Sequence, residues 1–221
     1  MTLPKLIFNE ELLAHTYMGK WRELFGESRI DQTDWWAEAT ILECLFRDGC
    51  LTNNSVGLAV CGENLIDILY DQKAVLDNLQ PKLVSYNSLR SVLRPKEFST
   101  FLRDGMSKLK RSTTQSKFSF FVSTWLLHHW THEEAHHNIT QMQTKYLDEK
   151  APIYLAIALS EEPELDSGLV TNQTVSRPEI IDLLSTLSLD GISCKPSVDE
   201  FVEWVELPEM VVLKLSKDGL V

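Results

Sequence analysis

The sequence predicts a mainly α fold, a helical bundle with a small α/β part at its C-terminal end. Three observations predict it. Apolar residues recur at three- and four-residue steps between residues 9 and 147. Capping and helix-stop residues flank those stretches. After residue 151 the apolar runs are short and carry no clear helical period.

In chain order, residues 9–25 read as a helix through Leu12, Leu13, Tyr17, Trp21 and Leu24, with Gly26 as its stop. Thr33 or Asp34 caps a second helix carrying Trp35, Trp36, Ala39, Ile41, Leu42, Leu45 and Phe46, and Asp48-Gly49 ends it. Residues 50–62 hold Asn53, Asn54, Ser55, Gly57 and Gly62 and read as a loop. Residues 64–79 are helical again. Pro81 opens another segment, and Pro95 suits the first turn of a helix to about residue 110. Thr113 or Thr114 then precedes a helix with Phe118, Phe121, Val122, Trp125, Leu126 and His129 on one stripe. Thr131 and Glu134 form a Thr-x-x-Glu capping box opening a helix to about residue 147.

Residues 152–159 fit either a strand or a buried helical turn, which periodicity cannot separate. Residues 160–174 form an acidic loop. Ser176 or Arg177, with Pro178, opens a helix to about Leu187, and Ser197 caps another to Val205. Residues 210–215 read as a strand. Strand is thus expected only after Ala151, with helix outweighing strand by at least about threefold. A soft boundary near residue 150 separates a helical domain, 1–150, from a small α/β region, 151–221. No Pro- or Gly/Ser-rich linker lies between them, so the two can pack as one body.

The formal net charge is −11, and a surface this negative repels phosphate backbones, so nucleic acid is not the expected partner. One run departs from this: Lys108, Lys110, Arg111 and Lys117, threaded with Ser112, Thr113 and Thr114. No apolar run approaches the roughly 18–20 residues of a membrane span. The first residues lack an apolar signal core, so a cytoplasmic location with free thiols is expected. Cys44, Cys50, Cys61 and Cys194 include no Cys-x-x-Cys pair.

Five of six histidines fall between His128 and His137. Among them His132-Glu133-Glu134-Ala135-His136 matches the His-Glu-x-x-His pattern of zinc proteases. Residues four apart share a helix face, so His132 and His136 reach one metal while Glu133 polarises a water. Glu161, Glu162 or Glu164 would supply a third ligand. Against this stands the capping box: Thr131 puts His132 in the first helical turn, where Glu133 and Glu134 favour a helix N-terminus electrostatically. A di-iron bundle needs a second Glu-x-x-His, which the chain lacks. Phosphate-binding glycine loops and the Gly-x-Ser-x-Gly elbow are also absent.

Asn64-Leu65-Ile66-Asp67-Ile68-Leu69, then Leu89-Arg90-Ser91-Val92-Leu93-Arg94-Pro95-Lys96-Glu97-Phe98, then Trp125-Leu126-Leu127-His128-His129-Trp130 follow one another in order. On these motifs residues 64–147 resemble the N-terminal helical module of Ras-family guanine-nucleotide exchange factors, the Ras exchanger motif. The resemblance implies a non-catalytic helical module that packs on a partner protein.

These readings converge on a non-enzymatic, regulatory protein-interaction module with no cofactor. Trp35 and Trp36 are the expected partner-binding residues: neighbours on a helix point about 100° apart, so both rings are hard to bury in one core. The alternative is a zinc-dependent hydrolase with His132 and His136 as ligands and Glu133 as general base.

Overall fold

The computed structural model describes residues 33–61, 65–66, 69, 81–87, 93–124, 126–127, 130–160, 175–194 and 210–217. Four helices are named here: α1 (Thr33–Arg47), α2 (Pro95–Ser112), α3 (His132–Gln141), which runs into a π-helical turn (Met142–Tyr146), and α4 (Arg177–Leu189). The strands are β1 (Val56–Cys61), β2 (Lys82–Asn87), β3 (Phe120–Thr124), β4 (Ile153–Ser160), β5 (Val175–Ser176), β6 (Ile192–Cys194) and β7 (Met210–Lys217).

The strands form one sheet in the order β2-β1-β3-β4-β7-β6, with β5 pairing the end of β4. β2, β1, β3 and β4 are mutually parallel, whereas β7 runs antiparallel to both β4 and β6. The expected helical bundle is therefore corrected to an α/β fold built on an open, mostly parallel sheet. The sheet spans both sides of residue 150, since β4 pairs with β3 on one side and β7 on the other.

The correction has a physical cause. β1 (Val-Gly-Leu-Ala-Val-Cys) and β3 (Phe-Phe-Val-Ser-Thr) are buried at every position. A strand covered on both faces has no polar face to set a period of two, so it reads as a plain apolar run. In β3 that run happened to match helical spacing. In β1 the small residues and Gly57 read as a loop. Gly57 is a packing requirement: a Cβ there would stand 2.1 Å from Cζ of Phe120, its partner on β3. The 64–147 span of the exchanger resemblance contains β2 and β3 as well as helix, and its Arg94-Pro95-Lys96-Glu97 segment starts α2 with a capping interaction of Glu97 on the Arg94 N–H at 3.0 Å.

Register fixes which residues share a face. Ala59, Val122, Tyr154 and Lys214 form one cross-sheet row, and Thr124, Ala156 and Val212 form the row two residues further toward the carboxyl ends. Strand alternation puts Gly57 and Cys61 on this same face. The opposite face carries Leu58, Val84 and Phe121, which pack under α2: a Cβ at Gly105 would meet Val84 at 3.3 Å and Leu58 at 3.6 Å, and Phe98 stacks edge-on against Phe121.

α1 covers the first face. It lies against β3, β4 and β7, and residues 37–45 are buried except half-buried Thr40. A helix apolar nearly all round is an interior helix, which explains its composition better than a surface role does. It runs antiparallel to the parallel strands. Asp48, just past its end, accepts a hydrogen bond from the Tyr154 phenol near the start of β4. Glu38, near its beginning, lies close enough to influence Cys61 at the end of β1. Gly49 turns the chain with φ +66°, as Asp48-Gly49 predicts.

Several expected elements are present. α1, α2 and α4 start and stop within two residues of their predicted limits, and β7 contains the predicted strand. Leu65, Ile66 and Leu69 are helical and buried, as expected for 64–79. The helices expected at 9–25 and 197–205 and the acidic loop at 161–174 lie outside the described residues.

Candidate functional site

From β1 the chain moves to β2 on one side, and from β3 it moves to β4 on the other. Crossovers are right-handed, so connections leaving in opposite directions lie on opposite faces and part above the sheet. Open α/β sheets bind their ligands in the crevice this leaves beyond the carboxyl ends of the strands. In this chain the crevice falls between β1 and β3.

Three described side chains mark it. Thr124 ends β3, is 2% exposed, and its hydroxyl has no hydrogen-bond partner among the described residues. Cys61 ends β1 on the same face, one position beyond the Val60–Ser123 pair. Its thiol is pushed well above the ordinary range, first by burial and then by the negative charge of Glu38. Glu38 is itself 3% exposed. A carboxylate, a neutral thiol and a hydroxyl thus converge where β1 and β3 end. None stood out in the sequence, because each is a single polar residue inside an apolar run, and register alone brings them together.

The cysteines are free. Burial raises Cys50 and Cys194 to about 11, so neither offers a thiolate nucleophile near neutral pH.

The histidine motif folds as a helix, and its cap is the one expected: Thr131 Oγ1 accepts from Glu134 N at 3.3 Å while Glu134 Oε2 accepts from Thr131 N at 2.9 Å. His132 and His136 do share a face of α3, but that face packs on α4. His136 Nε2 meets Asp190 at 2.8 Å, with Thr140 on the same carboxylate. His132 reaches Asp182 and Thr186, each at 3.4 Å. Glu133 is exposed. The two imidazoles meet separate carboxylates, and among the described residues no group of three or more His, Cys, Asp or Glu side chains could hold a metal ion. Glu161, Glu162 and Glu164 lie outside the described residues. A cavity of about 200 Å³ opens beside this contact, lined by Leu127, Trp130, His132, Ala135, Ile180 and Leu183 among others. The Trp130 indole N–H is already engaged, donating to Leu93 O at 3.0 Å.

Trp35 and Trp36 fall in the first turn of α1, at the carboxyl edge of the sheet; their side chains lie outside what is described. Among the described residues no helix is long and apolar enough to cross a membrane.

No family model matches the chain, and no curated protein matches it. Solved structures do resemble it. Magnesium protoporphyrin IX methyltransferase from Synechocystis, with bound S-adenosylmethionine (SAM), is 15% identical, covers 94% of this chain and 94% of its own, and gives a TM-score of 0.47. A TehB-like SAM-dependent methyltransferase from Corynebacterium glutamicum is 12% identical over 95% of this chain and 100% of its own, with a TM-score of 0.46. An N-methyltransferase from Bradyrhizobium japonicum, in complex with S-adenosyl-L-homocysteine (SAH), is 11% identical over 92% of this chain and 99% of its own, with a TM-score of 0.45.

The functional expectations are corrected accordingly. The non-enzymatic regulatory module, the lean away from an enzyme and the absence of a cofactor rest on an acidic helical surface, the tryptophans and the lack of a complete catalytic set. The chain instead builds an open, mostly parallel α/β sheet whose strand order reverses between β1 and β3, the kind of sheet that binds ligands beyond the carboxyl ends of its strands. The zinc hydrolase falls with the donor geometry of His132 and His136.

Proposed function

We propose that the chain is an enzyme that binds a nucleoside-type cofactor beyond the carboxyl ends of β1 and β3, with SAM as the cofactor and methyl transfer as the reaction class. The observation that carries this reading is the buried, unpartnered Thr124 hydroxyl at the switch point, on the sheet face that α1 covers with buried Glu38. Buried polar atoms are almost always satisfied by protein, water or ligand, so this hydroxyl marks where a polar group from outside the described chain fits.

The residues suit the cofactor. A sulfonium and an ammonium group are cations, and Glu38 is a carboxylate in a poorly hydrated setting, where opposite charges attract more strongly than in water. Ribose hydroxyls need hydrogen-bond partners, which Glu38 and Thr124 supply. When bound, SAM carries an electrophilic methyl group on sulfur. Cys61, held neutral by burial, contributes a small wall at the end of β1 and does not compete as a nucleophile.

Thermal unfolding with and without SAM or SAH tests this. Ligand at about 100 times its Kd should add about 2.7 kcal/mol of stability, and Glu38→Gln and Thr124→Val should each lose most of that gain. Unchanged unfolding with both ligands, together with no heat of binding by calorimetry, would sink the reading.

A further inference from the structure

The chain is strongly acidic overall, yet one edge runs against that charge. Lys82 opens β2, Lys108, Lys110 and Arg111 lie at the end of α2, Lys117 precedes β3, and Lys145 lies in the π-helical turn. All belong to the amino edge of the parallel strands, because α2 delivers the chain to the start of β3. Two hydrogen bonds gather them. Lys82 Nζ donates to Ser112 O at 3.2 Å, beside Arg111, and Lys117 Nζ donates to Thr144 O at 3.2 Å, beside Lys145. Lys117 is half-buried and the other five are exposed. Asp104, four residues before Lys108 on α2, and Asp148, whose N–H donates to Phe118 O at 2.9 Å, with Glu149 are the nearby carboxylates in sequence, and Lys150 follows them. Counting Lys150, seven cations therefore stand with three anions along this stretch of the edge.

A helix dipole favours cations in its last turn. That accounts for Lys110 and Arg111, but it does not bring the cations of β2, α2, the lead into β3 and the π-helical turn onto one edge.

We infer that this amino-edge rim is a docking surface for an acidic segment of a partner protein. Charge complementarity selects the occupant. The rim is short and set in a chain of net charge −11, so a long polyphosphate would run off it onto repelling surface. No exposed aromatic ring stands among the described residues of the rim to stack bases. The rim lies at the opposite edge from the switch-point crevice, so docking leaves that crevice open, and the inference does not depend on which cofactor binds there.

The test uses the full chain and a fluorescein-labelled polyglutamate peptide, followed by anisotropy at low and physiological salt. Binding should weaken as salt rises. Lys108→Glu should weaken it about fivefold or more, whereas Lys96→Glu, at the other end of α2, should change it less than about twofold. Both variants alter net charge equally and both sites are exposed, so matching urea midpoints would confirm that folding is not the cause. Equal losses in the two variants, absence of peptide binding at low salt, or tighter binding of a single-stranded oligonucleotide of matching charge would each overturn the inference.

Discussion

At the amino edge of the sheet the polar groups of Asp48, Tyr154 and Lys214 answer one another. At the carboxyl edge the hydroxyl of Thr124 has no partner among the described residues. The two sites lie on the same face, two residues apart along β4, under the same helix. At the amino edge Lys214 Nζ sits 2.7 Å from Asp48 Oδ2, and the Tyr154 phenol donates to the same carboxylate oxygen. Burial, then the neighbouring Cys50 and Asp48, push the Tyr154 phenol far above its ordinary pKa, so it stays a donor. That site is closed: Asp48 and Lys214 are paired, and the loop after α1 is tied to β4 and β7. At the carboxyl edge Glu38, Cys61 and Thr124 are all buried. A buried network that is fully satisfied rigidifies the fold, whereas a buried polar group left without a partner is costly.

The comparison can be broken most severely at the closed edge. Asp48→Ala would leave Lys214 unpaired, with its side chain only 16% exposed, and remove the acceptor of Tyr154. A loss of about 3 kcal/mol is expected in urea unfolding, and a loss below about 1 kcal/mol would show that the network is ornamental. Gly57→Ala tests the rigid sheet between the edges. The added methyl collides with the Phe120 ring, and a loss of about 2 kcal/mol is expected; no change would mean that the ring moves freely.

Smaller effects sharpen the contrast. Thr131→Ala should cost about 1 kcal/mol by removing the cap of α3. Its chevron or equilibrium unfolding curve gives the number directly. Thr124→Val should have the smallest effect on stability and the largest on recognition. It removes a buried hydroxyl without a partner, so stability should hold or rise by up to about 1 kcal/mol. The gain in melting temperature from SAM should nevertheless shrink. A Thr124→Val protein destabilised by more than 2 kcal/mol would show instead that the hydroxyl is satisfied within the fold.

Local chemistry was legible where it is local. The Thr131–Glu134 box forms as its spacing dictates, and Ser176, one of the two expected openers, caps α4. Asp48-Gly49 stops α1, Pro95 and Pro178 sit in first turns, and residues 210–217 form a strand. Each depends on residues within one turn of each other. The histidines were legible only as geometry: His132 and His136 do share a face, but what that face meets is Asp182, Thr186 and Asp190, more than forty residues away.

Fold class was not local. Phe118, Phe121 and Val122 satisfy a helical period as well as a strand run, and only pairing with Val56–Cys61 and Ile153–Ser160 decides between them. A strand buried on both faces carries no alternation, so its evidence lies in its partners. The candidate site is of the same kind. Glu38, Cys61 and Thr124 are unremarkable in sequence and come from three segments. The sequence by itself determined caps, stops, the apolar runs and the acidic balance, because these follow from side-chain chemistry over a few residues. Tertiary structure alone decided which runs became strands, where the chain reverses across the sheet, and which buried polar groups stand together, because each is set by hydrogen bonding and burial between segments that the sequence keeps far apart.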